Sequence, residues 1–153
     1  MKMNSRMSDL MQRLGVQWPL GADTTAAKIP KLELAEDSVL LKNDYERNRH
    51  VKVADLSDRT AFECFINHVH LPFTGTTESL LSCLRYAASL QEALMPLTQG
   101  RRFRVIVGIS DDDRNARLGC TVRFHQIRPS EGWIAEDLEG YKSEAILVFD
   151  VPH

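Results

Sequence analysis

No stretch of the sequence approaches the ~20 consecutive apolar residues that span a bilayer, which leaves no candidate transmembrane helix. Residues 1–15 alternate polar with apolar side chains and hold no continuous apolar core, so they do not read as a signal peptide. Cysteine is scarce. Cys64, Cys83 and Cys120 are odd in number, widely spaced and set among apolar neighbours, the pattern of buried free thiols in a reducing compartment. By elimination, the expected location is the cytoplasm. Excess positive charge is missing too. Lys and Arg number 19 against 21 Asp and Glu, a net charge of −2, which gives no electrostatic basis for general nucleic-acid or membrane binding. Internal repeats and low-complexity tracts are absent.

Recognisable catalytic patterns are also lacking. There is no Gly-x-Ser-x-Gly elbow, no phosphate-binding loop ending in Gly-Lys-Ser/Thr and no Gly-x-Gly-x-x-Gly, and Gly108 and Gly119 stand alone. Asp111, Asp113 and Asn115 resemble the start of a calcium loop, whose alternating oxygen ligands converge on one ion. The pattern then fails, because Ala116 stands where the sharp turn needs Gly and Val122 where a bidentate Glu belongs. His68 and His70 share a face if their segment is a strand, and His125 could join them to hold zinc, yet no paired Cys-x-x-Cys or His-Glu-x-x-His spacing supports a metal. Cys64 lies four residues before His68, within reach for a thiol–imidazole nucleophile only if that segment is helical. His50, His68, His70 and His125 carry acid–base potential for RNA cleavage without the basic groove RNA would need. The expectation is therefore no enzyme, no catalytic residue, no metal and no cofactor. A small cysteine- or metal-dependent hydrolase built on Cys64, His68, His70 and His125 is the enzymatic alternative.

What is present is ordinary globular sequence. With 43% hydrophobic and 26% charged residues, the chain is neither disordered nor fibrous. Its 153 residues fit one domain, long enough to bury roughly 68–70% of its unfolded surface without a disulfide or metal staple. Met3, Met7, Leu10, Met11 and Leu14 form one helical stripe within residues 1–15, with Asn4 or Ser5 as cap and Gly15 as stop. The methionines also suit an adaptor surface that scaffolds a complex. Residues 16–30 are linker-like, with Trp18 as an anchor, and 31–151 form an α+β core. Residues 32–41 and 50–56 read as short strands joined by a polar turn at 42–49. In residues 61–71 Phe62, Phe65, Ile66 and Val69 fit a helical stripe, yet the aromatic and β-branched content also suits a strand, and the stop at Pro72 and Gly75 after only about ten residues favours the strand. The clearest element is a helix over about 77–95, capped by Thr76 or Thr77 with Glu78 in its first turn, and closed by Pro96 and Gly100. Its rows are Leu80, Leu84, Ala87, Leu94 and, beside them, Leu81, Ala88, Met95.

Strands follow in which Phe103, Val105, Val107 and Ile109 alternate with Arg102, Arg104 and Ile106, and Cys120, Val122 and Phe124 with Thr121, Arg123 and His125, joined by a long polar turn. Residues 145–151 are apolar on both faces and read as a central strand. The fold expected is a single antiparallel or mixed sheet with one dominant helix and the N-terminal helix on one face.

The segment from residue 129 onward carries six acids, Glu131, Glu136, Asp137, Glu139, Glu144 and Asp150, against one base, Lys142. Trp133 and Tyr141 are interleaved with them. An aromatic anchor ringed by carboxylates suits a protein partner with a basic surface; the other reading is a surface loop whose rings tuck back onto the sheet. Two stretches carry a resemblance. They are Phe62-Glu63-Cys64-Phe65-Ile66-Asn67-His68-Val69-His70-Leu71, and the run from 120 to 151 with Val122-Arg123-Phe124-His125, Glu131-Gly132-Trp133 and Asp137-Leu138-Glu139-Gly140-Tyr141. Both are similar to bacterial polymorphic-toxin immunity proteins of the family called immunity protein ten, found with contact-dependent inhibition or type VI secretion systems. The resemblance spans roughly residues 50–151 and leaves the first ~35 unmatched. It implies stoichiometric neutralisation of a cognate toxin's C-terminal domain and carries over no catalytic residue. Combined with the acidic loop, it makes Glu131, Trp133, Glu136, Asp137 and Glu139 the expected toxin contacts, and the N-terminal helix an added toxin or homodimer contact.

Overall fold

Asn4 and Gly15 bracket the first helix for stereochemical reasons. In the computed structural model, which describes residues 1–21, 28–110 and 119–152, the Asn4 side chain accepts from the Met7 N–H, and Gly15 ends the helix with φ +66°, a left-handed cap that glycine adopts without strain. Two residues before this helix (α1, Ser5–Leu14) form a short strand, β1 (Lys2–Met3). The methionine stripe faces inward, with Met7, Leu10 and Met11 buried in the main core. Those side chains are therefore unavailable as an adaptor surface. The stretch called a linker begins as packed structure: Val16 is buried, and the Trp18 ring lies 5.1 Å from that of Phe149.

Residues 32–41 are not one strand but a hairpin, β2 (Leu32–Ala35) and β3 (Ser38–Leu41). Glu36 and Asp37 turn it with φ of 51° and 60°, the paired positive φ of a two-residue turn that matches strand twist. The expected polar turn at 42–49 is instead a short helix, α2 (Lys42–Arg47), and the expected strand at 50–56 holds only a 3-10 turn at Val53–Asp55. The expected strand at 61–71 divides into a helix, α3 (Arg59–Ile66), and an edge strand, β4 (His68–Leu71). The cause is Asp58, whose carboxylate accepts the Ala61 N–H at 2.7 Å and starts the helix. Phe62 and Ile66 then bury one helical stripe against Leu40 of β3.

The dominant helix, α4 (Thr77–Leu94), begins at a Thr76 cap as expected. Leu80, Leu84, Ala87 and Leu94 face the core. Cys83 and Leu90 complete the buried stripe, while Leu81 is only half-buried and Met95 is exposed. Three longer strands complete the main sheet: β5 (Phe103–Ser110), β6 (Gly119–Gln126) and β7 (Ala145–Val151). Its order is β1-β7-β5-β6-β4, with antiparallel pairing throughout. The α+β class and the antiparallel sheet thus agree with the sequence reading. β7 is an interior strand, paired with β1 on one side and β5 on the other, and β5 is the middle strand. β7 is apolar on both faces because each is covered. Leu147 and Phe149 meet α1 and α4 in the main core, while Ile146 and Val148 pack with Ile106 and Leu138 under the loop that precedes β7. The calcium-like Asp111, Asp113 and Asn115 lie outside the described residues. Among the described residues no helix is long and apolar enough to cross a membrane.

Candidate functional site

Alternation along the strands sends one set of side chains to the helices and the other to the opposite, outer face. Register places Ile106, Arg123 and His68 in one row across β5, β6 and β4, and Gly108, Thr121 and His70 in the next. The loop between β6 and β7 folds over only part of this face. Tyr141 and Ile134 pack onto the patch formed by Ile106, Ile146 and Val148, and the Tyr141 hydroxyl accepts the Ala135 N–H at 3.0 Å. Beside that strap the outer face stays open as a groove of about 600 Å³. Its floor is Ile106, Gly108, Thr121, Arg123 and Ile146, and Trp133 and Glu144 stand on its walls.

The five expected contact residues do not form one acidic surface. Glu131 accepts from both the Thr60 N–H (2.9 Å) and the Thr60 hydroxyl (2.8 Å), in the first turn of α3. Glu139 does the same at α1, accepting from the Ser5 N–H (2.7 Å) and hydroxyl (2.8 Å). Each carboxylate sits at a helix N-terminus, where unpaired N–H groups and the helix dipole favour an anion. Asp137 caps its own 3-10 turn by accepting the Glu139 N–H. Glu136 lies at the surface, where the hydrogen bond and charge of Lys2 lower its pKa. Trp133 alone is left presenting a large unused surface. It is 43% exposed, and the Arg123 guanidinium carbon lies 5.3 Å from its ring centroid, within cation–π range. Of the two aromatics, then, Tyr141 tucks back and Trp133 does not.

Arg123 is the residue that sequence reasoning missed. Its signal was its place in the outward series Thr121, Arg123, His125. It is half-buried, and among the described residues no carboxylate pairs with it. Two other partly buried arginines are paired: Arg104 grips Asp150 through two hydrogen bonds of 2.8 and 3.1 Å, and Arg128 grips buried Glu63. Burial, the largest single effect, opposes ionisation of Asp150, but the Arg104 hydrogen bond together with the charges of Arg104 and Arg102 outweighs it and holds the carboxyl below its ordinary value. Glu63 also accepts the Gln126 N–H, so the pair locks α3 to the end of β6.

The candidate hydrolase residues are not assembled. Cys64 does lie on a helix, two residues before the end of α3, but its thiol is buried and desolvation pushes its pKa up to about 12. A thiol held protonated is a poor nucleophile. His68 bonds the Phe65 carbonyl instead, and His70 bonds the Thr121 hydroxyl at 3.1 Å. The His68 and His70 rings do share a face, 5.0 Å apart. His125 lies two residues beyond Arg123, the partner of His68, roughly 7 Å along the strand at ordinary strand rise. It is buried, donates to the Gln126 carbonyl through Nδ1, and has its pKa lowered by desolvation. His50 is exposed after α2. No group of three His, Cys, Asp or Glu that could hold a metal occurs among the described residues. Cys83 and Cys120 meet between α4 and β6, where the hydrogen bond between them and burial push the Cys120 thiol up.

The fold and groove define an α+β protein whose antiparallel sheet is covered by helices on one face and half-covered by a loop on the other. The chain belongs to the family described as Uncharacterized protein PM0498, whose model matches residues 2–153. No curated protein and no solved structure matches the chain.

Proposed function

We propose that this chain is an immunity protein that binds a cognate bacterial toxin domain and neutralises it by stoichiometric occlusion in the cytoplasm of the producing cell. The observation that carries the reading is Trp133. A large aromatic is left 43% exposed at the wall of an open groove, while the loop around it is fixed to the sheet. Exposed aromatics held on a rigid support are the residues that dominate protein–protein affinity. The resemblance of residues 62–71 and 120–151 to immunity protein ten supports the same class. The contact surface is narrower than the sequence suggested. Trp133 is its centre and Glu136 its exposed rim, whereas Glu131, Asp137 and Glu139 serve the fold.

The reading expects the gene immediately upstream to encode a large secreted protein, and the test is co-expression with the C-terminal domain of that neighbour's product. Growth is expected to be rescued, the two chains to co-purify, and Trp133→Ala to weaken the complex at least tenfold with the fold intact. If that neighbouring domain is not toxic, or is toxic and fails to co-purify, the immunity reading is lost.

A further inference from the structure

Arg123 differs from the paired arginines of this fold in lying half-buried on the sheet with no carboxylate partner among the described residues. A guanidinium partly removed from water gains most from a bidentate carboxylate, whose two oxygens match its N–H fork. The Trp133 ring already stacks on Arg123 of the groove floor, so little side-chain freedom remains to be lost on binding. Beside it the floor is apolar at Ile106 and Ile146 and stripped of a side chain at Gly108. Glu144 stands across the groove, its carboxylate 3.5 Å from where a Gly108 Cβ would lie.

From this juxtaposition we infer that the groove receives a protruding segment of a protein partner in which a single Asp or Glu is flanked by apolar residues. The carboxylate sits on Arg123 and the apolar neighbours on Ile106, Ile146 and Trp133. Among the described residues one arginine and one carboxylate line the groove, a balance that suits a single carboxylate and does not favour a polyanion such as nucleic acid. The charge sense is opposite to that read from the acidic loop: the partner contributes the acid, not the base. This inference rests on reading the chain as a protein-binding module, but not on the partner's being a toxin.

The experiment is selection of a phage-displayed random peptide library on the full chain, followed by titration of one enriched synthetic peptide. Enriched sequences are expected to place Asp or Glu beside large apolar residues. Arg123→Ala should weaken the peptide roughly tenfold to hundredfold, the range for losing a hydrogen-bonded charge. Trp133→Ala should weaken it at least tenfold, and Glu92→Gln, exposed on α4 and outside the groove, should leave it unchanged. Arg123→Lys keeps the charge without the fork and is expected to fall in between, which guards against a folding defect in the alanine variant. Basic enriched peptides, binders indifferent to Arg123, or no enrichment would each overturn the inference. Benzoate binding as tightly as the peptide would overturn it in favour of a small-molecule pocket. Failure here with a co-purifying toxin domain leaves the immunity reading standing. Success here without toxin binding removes that reading and keeps the groove chemistry.

Discussion

Replacing Glu131 by alanine should destabilise the fold rather than remove a binding charge. Its carboxylate accepts two hydrogen bonds from Thr60, a residue with no solvent exposure. Without it a buried hydroxyl and one of the unpaired N–H groups of α3 lose their acceptor. An unsatisfied buried donor costs about 1–3 kcal/mol, and loss of an anion at a helix N-terminus about 0.3–1 kcal/mol. Because a rotated hydroxyl and entering water recover part of this, the expected destabilisation is about 2–3 kcal/mol. That corresponds to a melting temperature lower by about 4–12 °C for a chain of this size. Glu139→Ala removes the equivalent pair at α1, but from an exposed carboxylate, where water substitutes readily and about 0.5–1 kcal/mol is expected. Glu136→Ala, at the surface with Lys2, should leave the melting temperature unchanged. Equilibrium urea unfolding, followed by tryptophan fluorescence, measures all three as midpoint shifts at constant slope. Equal midpoints for the wild type and Glu131→Ala would refute the assignment of this carboxylate to the fold. A stable Glu131→Ala that loses its partner would restore Glu131 as a contact.

Asn4→Ala should cost about 3–5 kcal/mol, since the side chain caps α1 and also bonds the Ile146 N–H and the Glu144 carbonyl; thermal melts measure it. All three thiols are buried, so Ellman's reagent at pH 8 should label none in the native state, and any labelling should follow the unfolding rate. Rapid stoichiometric labelling of Cys64 would contradict its placement. His125 has a lowered pKa through burial, and its Nε2 has no hydrogen-bond partner among the described residues. The unfolded chain takes up a proton near pH 6.5 where the folded chain does not. Stability contributed by neutral His125 is thus complete above that pH and lost as pH falls from about 6.5 through the folded value. His125→Gln should flatten the melting-temperature decline between pH 7 and 5, whereas an unchanged slope would assign the decline to other groups.

Legibility followed the range of the interactions involved. α1 and α4 were readable because cap, periodicity and stop agreed within a few residues of each other. β5 and β6 were readable because strict alternation leaves little choice of face. Residues 61–71 suit helix and strand alike, and what divides them is the Asp58 cap just upstream, which starts a helix that the stop at Pro72 and Gly75 does not reveal. Glu36 and Asp37 hid the hairpin, since neither is the glycine that a turn with two positive φ values favours. At the groove the limit was sharper. Trp133 could be named from sequence, but the pairing of Arg123 with its ring joins β6 to the loop that follows it, and only tertiary structure shows which charges are already satisfied.

The distribution of satisfied charge is what separates strap from interface. A loop rich in acids and aromatics has the same composition whether it grips its own helices or awaits a partner. Here two carboxylates hold the first turns of α1 and α3, which are far apart in sequence from each other and from the loop. The loop therefore acts as a clasp, drawing the N-terminal helix and α3 onto the final strands. Such a clasp keeps Trp133 and Ile134 in fixed positions over the sheet, and that fixity gives the groove its shape. On the proposed reading the acids matter to recognition through geometry, while the charge on the groove floor that has no carboxylate partner among the described residues is that of Arg123. A surface reversal at Glu136 should accordingly alter association weakly, and a change at Arg123 strongly. The ratio of those two effects, measured on one partner at one ionic strength, decides between a basic and an acidic partner surface.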